Sequence, residues 1–177
     1  FASGSGLAQP SGLTFGPDGN LYICNFGGFE VQRYNGATGA FVDTFAASTE
    51  IIAPTDLHFR PDGRLYVASL GTNNVVRFNG ATGALVDVFT SGGTVQGASA
   101  IAFGPDDNMY VVSLLGPFEV DRFDAGTGEF VDVFANVGDL TFPSDVLFAP
   151  DGNVLVSAVG TNQIFKFNAG TGALMGT

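Results

Sequence analysis

His58 is the single histidine of the chain, and it alternates with Asp56 in "PTDLHF", a run that reads as a β-strand. A histidine beside a carboxylate can act as a general base or hold a metal. Asp145 takes the place of Asp56 in "PSDVLF", and Asn25 closes the strand "LYICN" at the start of a loop. Two aspartates and one asparagine could hold Ca²⁺, with water completing the shell. One histidine with one aspartate is too few ligands for a catalytic zinc. The positions aligned with His58 are Thr14, Ala102 and Leu147, and those aligned with Asn25 are Ser69, Ser113 and Ala158, so no second ligand type appears. The plainer reading has Asp56 and Asp145 capping the turns that start their strands, and His58 packing or bonding locally. No catalytic residue is assigned, and Ca²⁺ at Asp56, Asp145 and Asn25 is the one cofactor the residues suggest.

The loop that follows each second strand is unusually apolar. Phe26, Phe29, Leu70, Leu114, Leu115, Pro117 and Phe118 all fall there. Bulky apolar loop tips suit contact with a protein or glycan partner, or packing on one another. They form the candidate partner face.

What must position these residues is a repeat. "GPDGNLY" at Gly16 returns as "RPDGRLY" at Arg60, "GPDDNMY" at Gly104 and "APDGNVL" at Ala149. "NGATGAFVDTF" at Asn35 returns as "NGATGALVDVF" at Asn79, "DAGTGEFVDVF" at Asp124 and "NAGTGALMGT" at Asn168. The turn prolines Pro17, Pro61, Pro105 and Pro150 lie 44, 44 and 45 residues apart, and the extra residue falls in "SLLGPFEV". Each unit reads as four short strands rich in Val, Phe, Tyr and Thr, divided by Gly, Asn and Asp turns. Four antiparallel strands in about 44 residues is a β-propeller blade. The expectation is therefore an all-β chain, one propeller repeat domain over 1–177, with blades near 7–45, 51–89, 95–134 and 140–177. Two aromatic columns, Phe15/Phe59/Phe103/Phe148 and Tyr34/Phe78/Phe123/Phe167, are expected in the core between blades.

Composition removes some partners. Six basic residues against 17 acidic ones give a net charge of −11. Nucleic acids and anionic membranes need clustered Lys and Arg, so neither is expected. No apolar run approaches the ~20 residues of a membrane span. Cys24 is alone, so no internal disulfide forms, and its strand position reads as a small buried hydrophobe. Four of the six basic residues form one column, Arg33/Arg77/Arg122/Lys166, facing Asp43/Asp87/Asp132 across the last hairpin of each unit. Cross-strand ion pairs are expected there.

"PSGLTFGPDGNLYI" and "PTDLHFRPDGRLYVASLGTNNVVRFN" resemble NHL-type repeats and the related streptogramin-lyase-like propellers. The resemblance covers all four units and implies the propeller fold. Enzymes of that kind would need a His-based acid–base site with Mg²⁺. Lactonase-like propellers would need a cluster of Glu, Asn and Asp around a divalent ion. The candidate residues here contain no Glu, which departs from both patterns. The "RFNGATGAFVDTF" phrase also resembles repeats of exported bacterial proteins, which implies an extracytoplasmic or secreted location.

Units one and three share "FEV" before the third strand, while two and four share "GTN", so the units alternate as ABAB. Thr177 aligns with Thr44 and Phe1 with Phe45, so the two ends would read on in register. Four blades could close alone, with the ends meeting, but rings of this kind commonly have six to eight blades, and four would then form half of one or a window of a longer array. An open blade face of roughly 500 Å² of apolar surface would leave about 12 kcal/mol of burial unrealised at about 25 cal/mol/Å². Self-association or chain continuation is expected to cover it. The functional expectation is a non-enzymatic, acidic, oligomeric binding or assembly module. A divalent-metal lactonase- or lyase-like enzyme and a filament unit are the alternatives.

Overall fold

A computed structural model describes residues 1–90 and 92–177, and their regular structure is entirely β. The first blade is β1 (Pro10–Phe15), β2 (Leu21–Asn25), β3 (Glu30–Tyr34) and β4 (Phe41–Ala47). The second is β5 (Pro54–Phe59), β6 (Arg64–Ser69), β7 (Asn74–Asn79) and β8 (Leu85–Val88). The third is β9 (Ala98–Phe103), β10 (Asn108–Ser113), β11 (Glu119–Asp124) and β12 (Phe130–Ala135). The fourth is β13 (Pro143–Phe148), β14 (Val154–Ala158), β15 (Gln163–Phe167) and β16 (Leu174–Gly176). Each is a four-stranded antiparallel sheet in simple sequence order. The chain gathers into two compact units of two blades, Phe1–Phe89 and Thr90–Thr177.

Two turn chemistries make every blade. In the first hairpin the aspartate after proline accepts the backbone N–H two residues on, as Asp18 does from Asn20 at 3.1 Å and Asp62 from Arg64 at 3.0 Å. The next residue needs positive φ, which Gly19, Gly63 and Gly152 supply at 77°, 78° and 82°, and Asp107 at 59°. In the last hairpin Asn35 Oδ1 accepts from Ala37 and Thr38 N–H at 3.0 and 2.9 Å, and Asn79, Asp124 and Asn168 repeat this. The closing glycine of that turn has a second task. A Cβ on Gly83 would stand 1.7 Å from the carbonyl oxygen of Phe45, in the preceding blade's last strand. Gly172 meets Phe134 in the same way at 2.0 Å, and Gly39 meets Phe1 at 2.1 Å.

The core lies between the blades of each unit. In the first unit Tyr22, Cys24, Val31 and Phe45 pack with Leu57, Leu65, Val67, Val76 and Phe78. In the second, Tyr110, Val112, Val120 and Phe134 pack with Val146, Val154, Val156, Phe165 and Phe167. The column Tyr34/Phe78/Phe123/Phe167 is fully buried. Of the other column, Phe59, Phe103 and Phe148 are partly buried and Phe15 is exposed. Phe59 and Phe148 fill the joint to the preceding blade, each edge-on to a second-strand tyrosine: Tyr22 at 4.7 Å and Tyr110 at 5.0 Å.

The basic column does pair across the last hairpin. Arg33, Arg77 and Arg122 each grip Asp43, Asp87 and Asp132 with two hydrogen bonds of 2.5–3.0 Å. Their guanidiniums also lie over Phe45, Phe89 and Phe134 at 5.1, 4.1 and 5.8 Å. The tyrosine hydroxyls of β2, β6 and β10 bond the turn aspartates Asp18, Asp62 and Asp106 at 2.9–3.0 Å. The fourth blade has Leu155, Lys166 and Gly176 where the others have Tyr, Arg and Asp, and there Lys166 bonds the turn residue Asp151 instead.

Candidate functional site

Asp56 and His58 lie on β5 with both side chains partly exposed, and Asp56 Oδ2 stands 3.4 Å from His58 Nε2. The other oxygen of Asp56 accepts the N–H of Leu57 at 2.8 Å. Asp145 on β13 accepts the N–H of Val146 at 2.8 Å in the same way. Both aspartates thus cap their own strands where the first-to-second strand pairing shifts register. Asp145 also borders a shallow cavity with Leu147, Leu155, Ser157 and Ile164, a mostly apolar lining. The two aspartates belong to different compact units. Among the described residues no group of three His, Cys, Asp or Glu side chains converges on a common point.

Asn25 is fully buried and fully engaged. Its Oδ1 accepts the N–H of Ala8 at 2.7 Å, and its Nδ2 donates to Gly6 O at 3.2 Å and Glu30 Oε1 at 3.1 Å. Its counterparts do the same work. Ser69 Oγ accepts from Ile52 N–H at 2.9 Å and Ser113 Oγ from Gln96 N–H at 3.0 Å. In each case the acceptor ties down the segment leading into its blade, 17 residues back. A buried backbone donor needs such a partner, so the polar side chain at this point is explained by the fold. Cys24 is buried beside it, and burial first, then the negative charge of Asp56, raises its thiol well above the ordinary range. It is a packing residue, not a nucleophile.

The loop face is the more exposed candidate. Phe26, Leu70, Leu114 and Phe118 are partly covered, whereas Phe29 and Leu115 are exposed. Phe29 holds a φ of +58°, a left-handed conformation shared by Asn73 and Asn162 at the same point of their blades. Asparagine tolerates that region, and a bulky aromatic residue is uncommon there. Leu115 leans over Gly97, where an added Cβ would meet its Cγ at 2.5 Å. Phe118 stacks at a tilt on Phe142, ring centroids 4.8 Å apart. Phe142 is exposed, as is Val159, and neither figures among the sequence candidates. Val159 follows Ala158 as Leu70 follows Ser69, so alignment of the repeats would have found it. Phe142 precedes Pro143 as Ala53 precedes Pro54, and a lone aromatic at that point is the signal that was missed.

No protein-family profile matches the chain, and no curated protein matches it. Solved structures do. Kuenenia stuttgartiensis hydrazine synthase superposes with a TM-score of 0.77 at 22% identity, over 99% of this chain and 50% of that one. A catalytically inactive virginiamycin B lyase from Staphylococcus aureus, determined with quinupristin, gives 0.75 at 18%, over 93% and 54%. A gluconolactonase from Xanthomonas campestris gives 0.74 at 20%, over 94% and 61%. The propeller fold and the likeness to streptogramin-lyase-like repeats are thereby established. The chain spans about half the length of the solved structures it matches.

Proposed function

We propose that this chain is a non-enzymatic propeller module whose terminal blades join further repeats of the same kind, supplied by a second copy or by continuation of the chain. One comparison carries the reading. Leu13 of β1 is 65% exposed, while Leu57 and Val146, its counterparts in the joint inside each unit, are 1% and 4% exposed. Ile164 of β15 is likewise 59% exposed, against 0% for Val31 and Val120, its counterparts in the joint inside each unit. The positions that close a joint inside each unit are open on the first and last blades. Exposed leucine, phenylalanine and isoleucine at a repeated joint favour a partner that repeats the joint. The half-length match to larger propellers supports this reading. In it, the loop tips Phe29, Leu115 and Phe142 face a protein or glycan partner, and the module works outside the cytoplasm, as the repeats it resembles imply.

The native mass tests it. The 177-residue chain is expected to run at twice its mass or more, and Leu13→Asp or Ile164→Asp is expected to return it to a single-chain particle. A wild-type chain that is monomeric at all concentrations would overturn assembly by a second copy. A longer natural chain supplying the next blades would locate the partner in cis.

A second reading rests on the Asp56–His58 pair, whose carboxylate and imidazole stand 3.4 Å apart on one strand. A metal-dependent lactonase- or lyase-like activity would use this pair as its acid–base centre. Turnover that requires a divalent ion and disappears in Asp56→Ala would establish that activity.

A further inference from the structure

The third strand of the third blade carries Glu119 and Asp121, two residues apart and therefore on one face of β11. Glu119 is 3% exposed and Asp121 0%. Glu119 is well provided for: the Thr94 hydroxyl donates to its Oε1, and the Asn136 amide donates to its Oε2 at 3.0 Å. Asp121 is not, for neither of its carboxylate oxygens has a hydrogen-bond partner. Thr94 also lies near Asp121, but its single proton is committed to Glu119.

The first blade shows what the place ordinarily holds. Glu30 occupies the position of Glu119, and Gln32 that of Asp121. Gln32 Nε2 donates to Glu30 Oε1 at 2.7 Å and to Ser5 O at 3.0 Å, and its Oε1 accepts from the Tyr34 hydroxyl at 2.6 Å. Every polar atom of that amide is used. In the third blade the amide has become a carboxylate, so a donor is lost and a second negative charge is added. Phe123 replaces Tyr34, so the hydroxyl donor is lost as well. Burial, reinforced by the charge of Glu119, pushes the Asp121 carboxyl up to about 7. Two buried carboxylates side by side, one of them with neither oxygen partnered, are costly unless something positive sits between them.

We propose that Glu119 and Asp121 hold a hard divalent cation of the calcium class, with the Thr94 hydroxyl beside it. The donors are oxygens only, which suits calcium and not the softer metals that favour His or Cys. Two carboxylates match a +2 charge. Thr94 and Asn136 are solvent-exposed, so water can reach this edge and complete the shell. The site is distinct from Asp56, Asp145 and Asn25.

The test uses the whole chain, with thermal unfolding and titration calorimetry in chelator and in about 2 mM calcium. Calcium is expected to bind once per chain at this site and raise the wild-type midpoint by about 5 °C or more. Asp121→Gln, which copies the first blade, is expected to abolish both effects while melting no lower than the chelated wild type. Glu119→Gln is the second variant, expected to lose the calcium response should the first fold poorly. A wild-type midpoint indifferent to calcium overturns the proposal, as does a calcium response that persists in both variants. A midpoint that follows pH but not calcium shows a shared proton in place of the ion, and likewise overturns it.

Discussion

Tyr110 meets Phe148 edge to face across the joint between the third and fourth blades, with ring centroids 5.0 Å apart and planes at 80°. The same tyrosine bonds the turn carboxylate of Asp106 at 2.9 Å, so one side chain links a blade's first turn to its neighbour's first strand. Tyr110→Phe keeps the ring contact and loses the hydroxyl, and is expected to cost about 1 kcal/mol. Tyr110→Ala opens a cavity and is expected to cost about 3–5 kcal/mol. Urea titration of the two variants separates the terms.

Arg77 and Asp87 meet at 2.8 and 2.6 Å, yet Asp87 is 41% exposed. Solvent screens such a pair, so a double-mutant cycle with Arg77→Met and Asp87→Asn is expected to give a coupling of about 1 kcal/mol or less. The Arg77 guanidinium holds the Asp87 carboxyl below its ordinary range. The pair's contribution is therefore complete above the unfolded value near 4 and lost as pH falls through the depressed folded value. The same cycle run at pH 7 and in acid checks the direction.

Asp107 occupies, at φ +59°, the turn position that glycine fills in the other three blades. Asp107→Gly relieves that conformation and is expected to raise stability by roughly 0.5 kcal/mol, after the added freedom of the unfolded chain is subtracted. Asp107→Val places a β-branched residue there and is expected to cost about 1–3 kcal/mol. Denaturant midpoints read both.

The raised carboxyl of Asp121 has a signed consequence in chelator. The unfolded acid ionises near 4 and the folded one about 7, so between these values the folded chain holds the extra proton. Stability is expected to fall as pH rises through that window, and Asp121→Asn is expected to flatten the slope. Thermal midpoints at pH 4.5 and 7 (about, chosen to bracket the window) make the comparison.

Much of the fold was legible because each blade must reverse direction at the same places. A Pro-Asp-Gly turn and an Asn/Asp-led turn every 44 or 45 residues leave little choice of topology. The Arg–Asp column was legible for the same reason, since a tight hairpin puts those positions opposite each other. The buried carboxylate pair was harder to see. "FEVDRF" differs from "FEVQRY" by two changes, the first of which looks like one polar residue for another, and only the structure shows that Asp121 is buried without partners where Gln32 has three. Asn25 misled in the opposite direction. A buried amide already used by two backbone groups and the Glu30 carboxylate looks, in sequence, like a ligand waiting for an ion.

Gly83 seated on the Phe45 carbonyl, and Gly172 on that of Phe134, mean that each repeat carries one half of a joint at its hairpin and the other half at its last phenylalanine. A duplicated segment of one whole period therefore arrives with both halves already matched to its neighbours. Lineages of such genes can lengthen or shorten by unequal recombination without re-optimising a contact. A deletion of half a period would strand a glycine opposite nothing and a carbonyl opposite a side chain. Inheritance in whole periods is the course this contact favours.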